Sequence, residues 1–418
     1  MRERGEALRR RARSLEYRVR GLASLRQLVG LSPERDITAR QWSVLEVQLN
    51  AALAQLTSRI KMATDRLLPD AADPRARRRL NGALGRIELD MSRAFTFFDT
   101  YMDVLTQRKS RALGAVLSGC DVLAYHAMRR RHPALLTIEP PLVFCDRGFG
   151  AAIVRESVTF PDGSPNPMPL IQIPYSRLRE KYNLTSVLHE AGHQALTRLR
   201  LVARLPDAMR AALDKAGAPA PVRDLYALWA FEIGPDFWGF CLSGVAEAAS
   251  VRDLFALQPA HALRIGVTDP HPPPYLRALL TFDWCRRAWG RGPWDLWERE
   301  WNTLYPLQLA PPETRKLLMH ARRFVPVVGD TLFNHRFREL DNRVILDLFD
   351  LSAVSPATVG RVVATARSGV LDLRGLNPCA QLAVFSELRA RQTMSEERLD
   401  RIMTEWLSRL GTTRTSLN

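Results

Sequence analysis

Apolar side chains return every third or fourth position through most of the first 128 residues, a period that selects helices over strands. Leu8, Ala12, Leu15, Val19 and Leu22 mark one stripe over residues 6–29, with Gly30 as its stop. Val44, Leu45, Leu49, Leu53, Leu56 and Ile60 mark a second over residues 38–68, which Thr38 is placed to cap. Asp73-Pro74 starts a third pattern that runs to about Met128, with a break expected near Gly114 or Gly119. Each stripe needs a neighbour to bury it, so residues 1–131 are expected to form an antiparallel helical bundle. A chain of 418 residues has room for more than one core. Its 46% hydrophobic content argues against disorder, and no run of 18 apolar residues reads as a membrane span. The charged start lacks a continuous apolar core and does not read as a secretory leader.

The pattern changes at His132-Pro133. Residues 135–144 and 150–160 read as two strands around a turn at Gly148 and Gly150. Residues 161–169 read as a proline-rich loop, and Leu170, Ile171, Gln172 and Ile173 as a short strand that Pro174 ends. Helix then resumes, with a break at residues 217–221. Trp294, Trp297 and Trp301 have helical spacing and read as packed core. The expected architecture is α+β and mostly helical, with a small β-sheet. It divides into a bundle over 1–131, a core over 132–301 and a C-terminal helical region over 302–418.

Lys+Arg number 60 against 44 Asp+Glu, a net charge of +16, and almost all of the excess is arginine. The densest blocks are Arg9 to Arg13, Arg75 to Arg79 and Arg129 to Arg131. No helix-turn-helix, zinc finger or glycine-aromatic RNA motif accompanies them. Two readings stay open: solvated helix faces, or contact with nucleic acid, an anionic lipid surface or an acidic partner. Cys120, Cys145, Cys241, Cys285 and Cys379 are odd in number and widely spaced, which suits a reducing compartment such as the cytoplasm.

The chemistry concentrates at His189-Glu190-Ala191-Gly192-His193. Its flanks are helical, and residues four apart share a helix face, so both imidazoles can meet one metal ion. Imidazole pairs suit Zn2+, and Glu190 stands beside the first ligand, where it can act as a general base on water. A catalytic zinc also needs a third protein ligand. The candidates downstream are Glu232, Asp236, Glu247, His261 and His271. Glu232 and Asp236 are four apart on one helical face, so Glu232 could bind the metal while Asp236 holds a ligand histidine. Pro235 between them is expected to bend that helix. His271, in a proline-rich loop, and Arg277 could stabilise the oxyanion of a tetrahedral intermediate.

HEAGH, then EIGPDFWG, then HPPPYLR, in that order, resembles the gluzincin metallopeptidases. More narrowly the set is similar to the family containing HtpX and the CAAX prenyl endoprotease. The resemblance implies a zincin-like metallopeptidase core that hydrolyses peptide bonds in a protein or peptide substrate. His189, His193 and Glu232 would be its zinc ligands, Glu190 its general base and Asp236 a support for a ligand histidine. Gly239 would allow close helix packing, and His271 and Arg277 would border the cleft. It also implies that the strand Leu170 to Ile173 is the cleft edge to which an extended peptide adds. The competing reading is a catalytically inactive or latent metalloprotease-like binding protein that acts through protein or nucleic-acid contacts.

Overall fold

The computed structural model describes all residues except 1–4, 31–36, 71, 149, 157, 159–164, 368–370 and 415–418. The expected strand over 150–160 and loop over 161–169 therefore lie partly outside the described residues. The chain is predominantly helical, with one small sheet.

Helix α1 (Glu6–Arg20) continues through a 3-10 turn into Leu25–Val29. Gly30 ends it at φ 58°, a left-handed conformation that glycine adopts without strain. Helix α2 (Ala39–Leu67) starts with a reciprocal capping box between Thr38 and Gln41. Helix α3 (Pro74–Thr106) starts at Asp73, whose carboxylate accepts from the N–H groups of Arg75 and Ala76. The three share one apolar core, which also receives Leu142, Met168 and Leu170.

The break after α3 falls at Gln107–Ser110, ahead of both expected glycines, and Ser110 caps α4 (Arg111–Met128). Gly119 does not interrupt α4. A Cβ there would lie 2.2 Å from the Leu407 carbonyl oxygen, so the glycine instead lets the terminal helix approach backbone to backbone. The helix expected to finish the N-terminal bundle is apolar on nearly every face. It is buried in the second, larger core, which also holds the site and the C-terminal helices.

Strand β1 (Leu142–Asp146) begins later than expected, because Pro133–Leu136 takes a helical turn. Strands β1 and β2 (Ala152–Val154) are not partners around a turn. Strand β3 (Leu170–Pro174) lies between them, parallel to β1 and antiparallel to β2. The reason is burial on both faces: Leu170, Ile171 and Ile173 are all buried, which suits the centre of a sheet. The expectation that Leu170, Ile171, Gln172 and Ile173 form a free cleft edge is therefore corrected. Both sides of β3 are paired, and β2 is an edge.

The remaining principal helices are α5 (Thr185–Arg198), α6 (Arg204–Lys215), α7 (Ala220–Ser243), α8 (Val245–Leu254), α9 (Pro274–Trp289), α10 (Pro293–Leu304), α11 (Pro312–Arg323), α12 (Val325–Asn334), α13 (Pro356–Arg367), α14 (Pro378–Ala390) and the terminal α15 (Glu396–Thr412). Trp284, Trp294 and Trp301 are buried core, and Trp297 packs against them half-buried. No helix of the described residues is long and apolar enough to cross a membrane.

A buried ion pair fastens the sheet to α4. Arg108 donates to both Asp121 oxygens at 2.8 and 2.9 Å, and both side chains are fully buried. Asp121 also accepts from the Val143 N–H of β1 at 2.7 Å, while Arg108 donates to the Val143 carbonyl. Removing one member strands a buried charge. Asp121→Ala is expected to cost about 3–5 kcal/mol of unfolding free energy, read by urea denaturation.

Candidate metal centre and cleft

The site is made where α5 crosses α7. A Cβ on Gly192 of α5 would lie 3.0 Å from both Pro235 Cα and Trp238 Cβ of α7. A Cβ on Gly234 would lie 2.8 Å from Leu205 and 3.0 Å from Leu196. The crossing therefore depends on small surfaces at these points. Helix α7 runs from Ala220 to Ser243 as a single element through Pro235. The expected disruption at that proline does not carry Glu232 away from the histidines.

Across this crossing His189 Nε2 lies 3.2 Å from Glu232 Oε2 and 3.2 Å from His193 Nε2. His193 Nε2 is 3.5 Å from Glu232 Oε1. The three side chains each offer one ligand atom, all within 4.8 Å of one another. His189 Nδ1 faces Asp236 Oδ1 at 2.7 Å, which directs the Nδ1 proton to that carboxylate and turns Nε2 toward the other two groups. Asp236 is in turn held by Arg277 of α9, whose Nε donates to Oδ2 at 2.8 Å and whose Nη2 donates to Oδ1. Arg277 also stacks over Phe255, 4.5 Å from the ring centroid.

Two imidazoles and a carboxylate thus aim one ligand atom each at a common point, where a bound metal would displace the Nε2 protons. Such a donor set suits a zinc ion. His189, Glu190 and the distal Glu232 have the arrangement, with His193, of a gluzincin zinc-metallopeptidase active site.

The electrostatics follow from burial and partners. Burial alone would lower the His189 imidazolium, but Asp236, Glu232 and Glu190 outweigh it and hold it well above the usual histidine range. Burial would raise Glu232, yet hydrogen bonds to both imidazoles hold it far below the usual carboxylate range. Burial would likewise raise Asp236, and Arg277 with His189 keeps it low. At Glu190 burial outweighs the nearby imidazoles and Arg277, and raises its carboxyl above the ordinary value.

The centre opens into a cleft of about 820 Å³. Its walls include Gly150 to Ile153 from the β2 side, Leu228 and Phe231 from α7, Val251 and Leu254 from α8, and Phe255 just after it. His271 and Arg277 both line it. His271 sits on a loop, its Nδ1 2.7 Å from Asp269 Oδ1 and its Nε2 3.7 Å from Glu232 Oε1. His261 lies exposed on a short helix and is not part of the cleft.

At Gly239 the close approach is made by a side chain of the adjoining helix. A Cβ there would lie 2.8 Å from Glu247 Oε2, so the glycine makes room for a buried carboxyl group of α8. Glu247 lines the cleft wall outside the ligand cluster, and its Oε2 has no hydrogen-bond partner. The wall residues Arg155, Thr185 and Ser250 carried no sequence signal, because nothing in their spacing points to a cleft.

Comparisons with protein-family models, with curated proteins and with solved structures found no match.

Burial, with the Asp236 charge adding to it, pushes the Glu247 carboxyl up to about 8. The folded state therefore holds a proton that the unfolded chain releases near pH 4 to 5. Stability should be full below that range and fall as pH rises toward 8. Thermal denaturation between pH 5 and pH 8 should show this fall, and Glu247→Gln, which keeps the shape of the protonated group, should flatten it.

Proposed function

We propose that this chain is a zinc-dependent endopeptidase, a divergent member of the group that contains HtpX and the CAAX prenyl endoprotease. The observation that carries the reading is the meeting of His189, His193 and Glu232, with Asp236 fixing the His189 ring. The narrower kinship is supported by His271 and Arg277, which flank the same cleft in the order of the HPPPYLR element.

His189, His193 and Glu232 would hold the metal. Zinc bound there supplies a Lewis acid that activates water at neutral pH and polarises a scissile carbonyl. Glu190, buried in the cleft with its carboxyl pushed upward, takes the proton of the attacking water and returns it to the leaving amine. Arg277 spends Nε and Nη2 on Asp236, so it acts through that carboxylate as a positioning residue. His271 is the group left to meet the negative charge that develops on the carbonyl oxygen. The substrate chain adds along β2, an edge strand whose approach, Gly150 to Ile153, lines the cleft.

The N-terminal helical bundle and the C-terminal helices flank this peptidase core. The five cysteines are free and buried, which supports work in a reducing compartment such as the cytoplasm.

The test is metal content and turnover of a fluorogenic peptide mixture by the zinc-loaded chain. Glu190→Gln is expected to keep one zinc per chain and lose about 1,000-fold in kcat. His193→Ala is expected to lose the metal itself. His271→Ala is expected to lower kcat by roughly 100-fold while zinc content holds. Undiminished turnover by Glu190→Gln would overturn the reading.

A further inference from the structure

Two arginine blocks more than 60 residues apart in sequence come to the same end of the N-terminal bundle. Arg11 of α1 donates to Asn81 at 2.6 Å and to Glu88 at 3.0 Å. Further along α1, Arg18 reaches Glu88 at 2.8 Å, and Gly21 faces the Phe95 ring. Advancing along α1 therefore advances along α3, and the two helices run parallel. By that register Arg9 and Arg10 stand about one turn along from Arg79, and the run Arg75 to Arg79 leads on from them toward the start of α3.

The charges there are unspent. Among the described residues Arg9, Arg10, Arg75, Arg77, Arg78 and Arg79 make no ion pair, and all but the half-buried Arg77 are exposed. Arg13 is held by Glu6, and Glu88 is taken by Arg11 and Arg18. Residues 1–110 contain 22 basic and 13 acidic side chains, which places +9 of the chain's +16 on about a quarter of its length.

We propose that this end of the bundle binds the phosphate backbone of nucleic acid without sequence preference. Guanidinium groups match phosphate oxygens in pairs, and a cluster of them displaces condensed counterions from a polyanion. A lipid surface fits the patch less well. The apolar residues among these arginines, Ala12, Leu15, Ala76 and Leu80, all face the core. The large exposed apolar side chains of the two helices, Tyr17 and Leu89, lie beyond the arginines, near the level of Glu88. A membrane-binding surface would interleave apolar anchors with its charges.

The experiment is fluorescence anisotropy of a labelled mixed-sequence 30-base-pair DNA duplex with the full chain. Affinity should fall roughly 100-fold between 50 and 200 mM salt, as expected for about four phosphate contacts. Arg9→Gln, Arg10→Gln, Arg78→Gln and Arg79→Gln together should weaken binding at least tenfold and flatten the salt slope. The far-ultraviolet circular dichroism of that variant should match the parent. Glu190→Gln should bind as the parent does, which separates this proposal from the peptidase reading. Absence of binding at 50 mM salt, unchanged affinity in the folded fourfold variant, or tighter binding to phosphatidylserine vesicles than to DNA would each overturn it.

Discussion

The close crossing of α5 and α7 is the constraint on which the site depends. Residues 189 and 232 are far apart in sequence, and they become neighbours because Gly192 presents no Cβ to Pro235 and Trp238. Helical spacing supplies the rest. His193 follows His189 by one turn, and Asp236 follows Glu232 by one turn, so one pair of facing helices brings four side chains together. Trp238 then donates its indole N–H to the Ala127 carbonyl at 2.9 Å, joining the crossing to α4. Through Arg108 and Asp121, α4 is joined to the sheet. The metal centre and the cleft edge are thus parts of one hydrogen-bonded framework.

Two buried acids near this crossing show how partners decide charge. Asp236 is enclosed as deeply as Glu247, yet it faces the Arg277 guanidinium and the His189 ring and stays ionised. Glu247 has the Asp236 charge for a neighbour and one oxygen without a donor, so it favours its neutral form. Two carboxyl groups in the same wall therefore carry different charge.

The helices and the metal ligands were legible because their signals are local. Thr38 and Asp73 cap the helices that their spacing predicts, and HEAGH with EIGPD writes two helical turns directly into the sequence. What was not legible depends on packing between distant segments. The place of β3 between β1 and β2 is decided by burial on both its faces, which a five-residue apolar run does not announce. Gly119 reads as a helix breaker until the backbone of Leu407 is seen against it. Glu247 carries no spacing mark, and its burial follows from Gly239 across a helix boundary.

The brevity of β2 has a kinetic consequence. An edge of three residues offers a visiting chain only a few main-chain hydrogen bonds, each of modest net strength. Grip of that kind is quickly made and quickly released. On the proposed peptidase reading, a substrate would be discriminated by how its side chains fill the neighbouring walls, and its severed ends would diffuse away soon after cutting.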